Sequence, residues 1–408
     1  MVKGETEMGY LFRDEVRHAQ RAAMGQMFNL AREHLGPGER VINFASGHPS
    51  TDVFQDHFIK TYFKKAMEEA GADIFRYEDS AGYPPLRAAF EKFVNEKGPV
   101  VKGEDRLIVT YGSVEAISLT ALALVERGDR VLVEDPSYVN AIKAFRLQGA
   151  QVTGVSMEED GVNLDELEAE MARGGVKLFY TIPNFGNPSG ITMSYAKRRA
   201  VYELAVKYQV PILEDNPYGA LRYRGERIPD IKELDMEGAV IHIGSMSKLI
   251  APAMRTGFMV ADRRFTDQIL PLKAAASKGV TGIVQYVLYR MLEENDMYVQ
   301  IGKICDAYRK KLLEMERCMD RYFPAPVKHS SPDGGMYIWV TMPEGTNVRE
   351  LCRESAVRLH IPVTPGDGFC VRQPEKCTSM RFNFVKESLE DIAQGTEQVG
   401  RLMERYVR

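Results

Sequence analysis

Between about residue 84 and residue 260, short β-rich apolar runs alternate with stretches in which apolar residues recur every three or four positions. In PPLRAAFEKFVNEKG, Leu86, Ala89, Phe90, Phe93 and Val94 fall at i, i+3, i+4, i+7 and i+8, with prolines at the start and Gly98 at the end. That spacing predicts an amphipathic helix. The runs RLIVT, RVLVED, KLFYTI, VPILED, VIHIG and TGFMVA read as strands, and their alternation with helical patterns predicts βα units around a mainly parallel sheet. After about residue 284 the texture changes. Ile304, Tyr308, Leu312, Met315 and Met319 keep a helical stripe through a charged segment, and then GGMYIWVTM, IPVTPG and MRFNFV read as strands separated by a helical NVRELCRESAVRL. The expected architecture is α/β: a large domain over 45–285 with a mainly parallel sheet flanked by helices, plus a smaller α+β domain formed by 1–44 and 286–408.

Composition narrows the function classes. A chain of 408 residues suits two domains, and 53 basic against 57 acidic residues (net charge -4) give no electrostatic reason to expect nucleic acid or a charged membrane surface as partner. The N-terminal MVKGETEMGYLFRDEV lacks the apolar core of a signal peptide, and no stretch is apolar for long enough to span a bilayer, so a soluble, cytoplasmic protein is expected. Five cysteines lie between Cys305 and Cys377 with no C-x-x-C pair, the pattern of reduced thiols. His242, inside VIHIG, reads as a hydrogen-bonded strand histidine, and no metal site is expected.

In a parallel α/β sheet ligands collect at the carboxyl ends of the strands, so the residues that close each apolar run are the candidates for chemistry. RLIVT runs into YGSVEAISLT, where Gly112, Ser113 and Val114 open a helix whose free N–H groups suit a phosphate. RVLVED leads to Tyr138, KLFYTI to Asn187 in NPSG, and VPILED to Asp215 and Tyr218 in DNPY. VIHIG leads to Ser245, Ser247 and Lys248 in SMSK, with Arg255 seven residues on. Singly, each of these is an ordinary turn sequence.

As an ordered set, NPSG, DNPY and S-x-S-K followed by arginine resemble the class I/II aminotransferases among the fold type I pyridoxal-phosphate enzymes, and in particular the 2-aminoadipate aminotransferase-like group. The resemblance runs from INFASGHPS to MRFNFV. It implies pyridoxal 5'-phosphate as cofactor and Lys248 as the amine that forms an aldimine with it, a task for a primary amine on a flexible stem. Asp215 would pair with the pyridine nitrogen and keep the ring an electron sink, while Asn187 and Tyr218 would hydrogen-bond its phenolic oxygen. Ser245, Ser247, Arg255 and the backbone at Ser113 and Val114 would cradle the phosphate, and Tyr138 would stack on the ring. Gly47, Asn187 and Arg381 would face the substrate, the arginine clamping its α-carboxylate. Tyr77, in FRYEDSAGYPPLR, would reach the phosphate bound by a second subunit, which implies a homodimer with shared active sites. FASGHPS carries Ser46 where that group usually shows a second glycine, a departure that bears on specificity rather than on reaction class.

The implied activity is transfer of an amino group from an L-amino acid to a 2-oxo acid by a ping-pong route. A β-lyase or decarboxylase on the same scaffold is the alternative, because the same electron sink can serve the breaking of other bonds at Cα. A ligand-sensing regulator with an aminotransferase-like domain is not expected, since only about 40 residues precede VINFASG.

Overall fold

A computed structural model describes residues 13–17, 25–50 and 56–407. The six predicted strands and two others, β3 and β4, assemble into one eight-stranded sheet: β1 (Asp105–Thr110), β2 (Arg130–Asp135), β3 (Gln151–Glu158), β4 (Gly161–Val162), β5 (Val176–Thr181), β6 (Ile212–Asp215), β7 (Val240–Ser245) and β8 (Gly257–Asp262). Their spatial order is β1-β8-β7-β6-β5-β2-β3-β4. Pairing is parallel from β3 through β2, β5 and β6 to β7. β8 returns antiparallel between β7 and β1. The segment joining β7 to β8 therefore stays at the carboxyl end of β7, where SMSK and Arg255 lie.

Burial follows this order. Every residue of β6 and β7 is buried, as expected of central strands covered by helices on both faces. The helix predicted from PPLRAAFEKFVNEKG forms over Pro84–Asn95, with Leu86, Ala89 and Phe90 buried. Two strands escape the sequence pattern. β3 is partly exposed along most of its length, so QVTGVSME carries too few apolar residues to stand out, and β4 has only two residues.

A second, antiparallel sheet of order β11-β12-β10-β9 is built from β9 (Lys328–His329), β10 (Tyr337–Thr341), β11 (Thr364–Pro365) and β12 (Ser379–Asn383). IPVTPG contributes only the two-residue β11. The long helix Met297–Tyr322 buries the predicted stripe of Ile304, Tyr308, Leu312, Met315 and Met319. The segment from Ile42 to His48 runs beside β12: the Asn383 N–H donates to the Phe44 carbonyl at 2.8 Å, and the Asn383 side-chain amide to the Ser46 carbonyl at 3.0 Å. Those bonds set Gly47 in front of β7. Among the described residues no helix is long and apolar enough to cross a membrane. All five cysteines are free thiols.

Candidate active site

The carboxyl ends of the parallel strands surround a cavity of about 110 Å³, room for several water molecules and hence for part of a small ligand. One wall is anion-binding in character. Ser113 and Val114 open the helix Ser113–Leu124, whose N-cap residue Gly112 offers no side chain to satisfy the first amides. Gly112 has φ 76°, and a Cβ there would meet the Arg255 guanidinium at 3.2 Å, so glycine both makes the turn and lets the arginine approach. Arg255, itself at φ 46°, donates from Nη2 to the Tyr111 carbonyl at 3.0 Å. Ser245 and Ser247 line the same end, and the buried Ser247 hydroxyl has no hydrogen-bond partner. A guanidinium, a helix N-terminus and an unengaged hydroxyl converge here, a combination suited to phosphate.

Asp215 closes the floor. One carboxylate oxygen accepts the Tyr180 hydroxyl at 2.8 Å, and the other is buried without a partner. Burial pushes this carboxyl up to about 7, against the pull of the Tyr180 hydrogen bond and the His242 charge. Opposite stands Lys248, whose Nζ donates to the Gly47 carbonyl at 2.8 Å. Burial holds this amine below its ordinary value, Tyr337 opposes that shift, and Arg381 and Arg255 add to it. Such an amine gives up its proton more readily than a surface lysine does. Tyr138 lines one side, its hydroxyl accepting from the Asn140 amide at 2.9 Å and pushed up to about 12, first by burial and then by the Asp215 charge.

Arg381, on β12, is fully buried at the far side of Asn187. Its Nη1 donates to the Asn187 side-chain oxygen at 2.9 Å and its Nη2 to the Ala45 carbonyl at 3.4 Å, while Nε is unpartnered. The Asn187 NH₂ group remains to donate into the cavity. The guanidinium lies 4.1 Å from the centre of the Tyr337 ring and 5.1 Å from that of Phe369. Tyr218 meets Tyr337 edge to face at 5.9 Å between ring centres. Burial, followed by Tyr337 and Tyr138, holds the Tyr218 hydroxyl well above its ordinary value.

Of the residues singled out from sequence, Gly47, Ser113, Val114, Tyr138, Asn187, Asp215, Tyr218, Ser245, Ser247, Lys248 and Arg255 share the cavity, and Arg381 joins them through Asn187. Tyr77 does not. It is 89% exposed, with the Lys278 ammonium 5.9 Å from its ring centre, and in a single chain it takes no part in the cavity. Two neighbours were missed. Tyr180 lies inside the run KLFYTI and Tyr337 inside GGMYIWVTM, so each reads as one more core aromatic. His242 is placed as expected, its Nδ1 2.9 Å from Glu214, on the face of the sheet away from the cavity.

Comparison with known proteins agrees with this geometry. A model of the aminotransferase class I and II family matches residues 39–395. The aromatic-amino-acid aminotransferase 1 of Thermococcus litoralis is 31% identical over 97% of this chain and 96% of its own length. The 2-aminoadipate transaminase of Thermus thermophilus is 29% identical over 89% of this chain and 90% of its own. The solved kynurenine aminotransferase of Pyrococcus horikoshii, in complex with PMP, superposes with a TM-score of 0.91 at 27% identity, covering 97% of this chain and 98% of that one. The residues present fit the cofactor: the cradle at Arg255 suits its phosphate, the orphaned Asp215 oxygen suits a protonated ring nitrogen, and Lys248 offers the amine. The chain belongs to the class I and II aminotransferases, enzymes that work with pyridoxal 5'-phosphate.

Proposed function

We propose that this enzyme moves an amino group from an L-amino acid to a 2-oxo acid in two half-reactions of a ping-pong cycle, with Lys248 bonded to the cofactor between turnovers. The observation that carries the reading is the pairing of a buried carboxylate lacking one partner, Asp215, with a buried amine held below its ordinary basicity, Lys248, in one cavity. When bound, the cofactor supplies an electron sink for the pair left at Cα. Asp215 as an anion would hold the ring nitrogen protonated, and the Lys248 amine would take the Cα proton. Arg255, Ser245, Ser247 and the first amides of the helix Ser113–Leu124 would hold the phosphate, Tyr138 would cover one ring face, and Asn187 and Tyr218 would donate to the phenolic oxygen. Arg381 holds the α-carboxylate, and the Gly47 carbonyl steadies the Lys248 amine.

In this reading residues 45–285 form the cofactor-holding domain, and 1–44 with 286–408 the smaller one that brings Arg381 to the site. The partners are small molecules, not nucleic acid or membrane. The compartment is the cytoplasm, and the working unit is a homodimer in which the exposed Tyr77 completes its neighbour's phosphate site. Borohydride reduction followed by peptide mapping tests the assignment, which requires label on Lys248. Product analysis tests the reaction class: one 2-oxo acid per aminated cofactor supports transfer, whereas release of ammonia or carbon dioxide identifies a lyase or decarboxylase.

A further inference from the structure

Apart from Arg381, the antiparallel sheet sends one further polar side chain to the cavity, Tyr337 on β10. Its backbone is fixed. A Cβ on Gly190, in the NPSG turn at φ 73°, would lie 2.9 Å from the Tyr337 carbonyl, so that turn packs directly on the start of β10. Its ring lies under the Arg381 guanidinium at 4.1 Å. Its hydroxyl extends past Arg381 toward Gly47, 3.9 Å from where a Cβ on that residue would stand, and the Gly47 carbonyl is the acceptor for Lys248. The same hydroxyl interacts with that of Tyr218.

We propose that Tyr337 is a positioning residue for amino-group transfer: its hydroxyl is the polar neighbour shared by the Lys248 amine and the Tyr218 hydroxyl, and it holds both toward the cavity. The inference rests on the transfer reaction proposed above. Around Lys248 stand two cations, Arg255 and Arg381, together with His48, and the anion-forming groups that line the same cavity are Asp215, Tyr138, Tyr218 and Tyr337. Burial works against ionisation of Tyr337, but the charges of Arg381 and Lys248 outweigh it and hold its hydroxyl below the ordinary range. Tyr218, by contrast, is held well above that range, first by burial and then by Tyr337, so it is the donor of the pair. Tyr337 thus sets a polar oxygen against the charges of Arg381 and Arg255 that act on the Lys248 amine. Its ring and its hydroxyl have separable duties, one toward Arg381 and one toward Lys248.

Two variants separate them. Tyr337→Phe keeps a ring under Arg381 and loses the hydroxyl, and Tyr337→Leu loses both. On full-length protein stripped of cofactor, trace acylation of Lys248 followed by peptide mapping across pH reads the amine directly. Its midpoint should fall by about half a pH unit or more in Tyr337→Phe, because a compensating dipole is gone. On the loaded enzyme, Tyr337→Phe should lower kcat roughly 5-fold to 20-fold with a small change in KM for the amino acid. Tyr337→Leu should in addition raise KM by about 10-fold, the loss expected for a cation–π contact of this kind. An unchanged acylation midpoint in Tyr337→Phe, or equal KM rises in the two variants, overturns the proposal. If the wild-type protein binds no cofactor at Lys248, the transfer reading fails, and the acylation midpoints still decide whether Tyr337 acts on the amine.

Discussion

Glu214 and Asp215 are neighbours on β6, both fully buried, and they point to opposite faces of the sheet. On the back face Glu214 is saturated: it takes the His242 imidazole at 2.9 Å and the backbone N–H groups of Ile231 at 2.7 Å and Lys232 at 3.1 Å. Burial raises its pKa, yet the His242 hydrogen bond and charge outweigh burial, and the carboxyl sits below its ordinary value. On the front face Asp215 has one donor and one orphaned oxygen, and burial prevails. Among the described residues, the two buried arginines also differ in how fully they are satisfied. Arg198 satisfies all three of its nitrogens on carbonyls and Asn184, whereas Arg381 leaves Nε without a partner. A folded chain tolerates buried unpaired polar atoms at a cost of ~1–3 kcal/mol each. The Asp215 oxygen lies at the cavity and the Arg381 Nε beside it behind Asn187, where a protonated ring nitrogen and a substrate carboxylate would complete them.

The largest expected effect is at the amine on the front face. Lys248→Ala should abolish borohydride-trapped cofactor and bring turnover to background, whereas Lys232→Ala, which breaks a buried ion pair with Asp105 and Asp235 on the other side of the chain's core, should lower the melting temperature instead. Trapped cofactor on a different lysine would sink the assignment.

The adjacent carboxylates offer the sharpest contrast. Asp215→Asn should slow turnover by about 10²-fold to 10³-fold, since the electron sink would lose an ion pair of ~3–5 kcal/mol. Glu214→Gln should lower unfolding free energy by about 2–4 kcal/mol while sparing most of the chemistry. The pH dependence has a definite sign. Because the Asp215 pKa is raised on folding to about 7, its contribution favours the folded state fully below the ordinary carboxylate pKa, and is lost as pH rises through about 7. Cofactor-free protein should therefore lose stability between about pH 4 and pH 7, and Asp215→Asn should flatten that slope. Chemical denaturation at several pH values checks both, and an equal slope in the variant would show that other groups set it.

Next in size is Arg381→Lys. A lysine cannot reproduce the planar stack between Tyr337 and Phe369 or a two-point grip on a carboxylate, so KM for amino acids and 2-oxo acids should rise together by about 10-fold to 100-fold. A rise for only one of the two substrate classes would point to a side-chain contact instead.

How much of this was legible beforehand depends on what kind of signal each residue carries. Lys248, Asp215, Asn187 and Arg255 stand where apolar runs end, and the parallel topology gathers run ends at one place, so order along the chain marked them as candidates and the resemblance supplied their roles. β3 was lost because an outer strand beside a two-residue neighbour needs few apolar residues. Tyr337 and Tyr180 were lost for the opposite reason: an aromatic inside an apolar run satisfies the core pattern whether or not its hydroxyl meets a charge. The apolar pattern alone does not separate Glu214 from Asp215, and only the resemblance of DNPY singles out the second. Two acids end the same strand, and only the count of donors around each separates a structural carboxylate from a functional one.

The smallest expected effect concerns the one predicted site residue that stands outside the cavity. Tyr77 is 89% exposed, two residues past the exposed Phe75 that ends the 3₁₀ helix Ala72–Phe75, and it sits away from the anion cradle of its own chain. If its hydroxyl completes the phosphate site of a second copy, Tyr77→Phe alone should weaken cofactor retention only by about 2-fold to 10-fold, because one hydrogen bond at an exposed position has a net worth of ~0.5–1.5 kcal/mol. Mixing exposes the sharing more clearly. A hybrid of Lys248→Ala and Tyr77→Phe subunits holds one site with both residues intact and one with neither, so random reassociation should leave roughly a quarter of all sites intact in a two-fold dimer. Against the inactive Lys248→Ala parent and the weakened Tyr77→Phe parent, cofactor retained at low concentration should rise above the mean of the two. Retention equal to that mean would place Tyr77 within its own subunit's business, and a chain that stays monomeric and fully active on dilution would remove the shared site altogether.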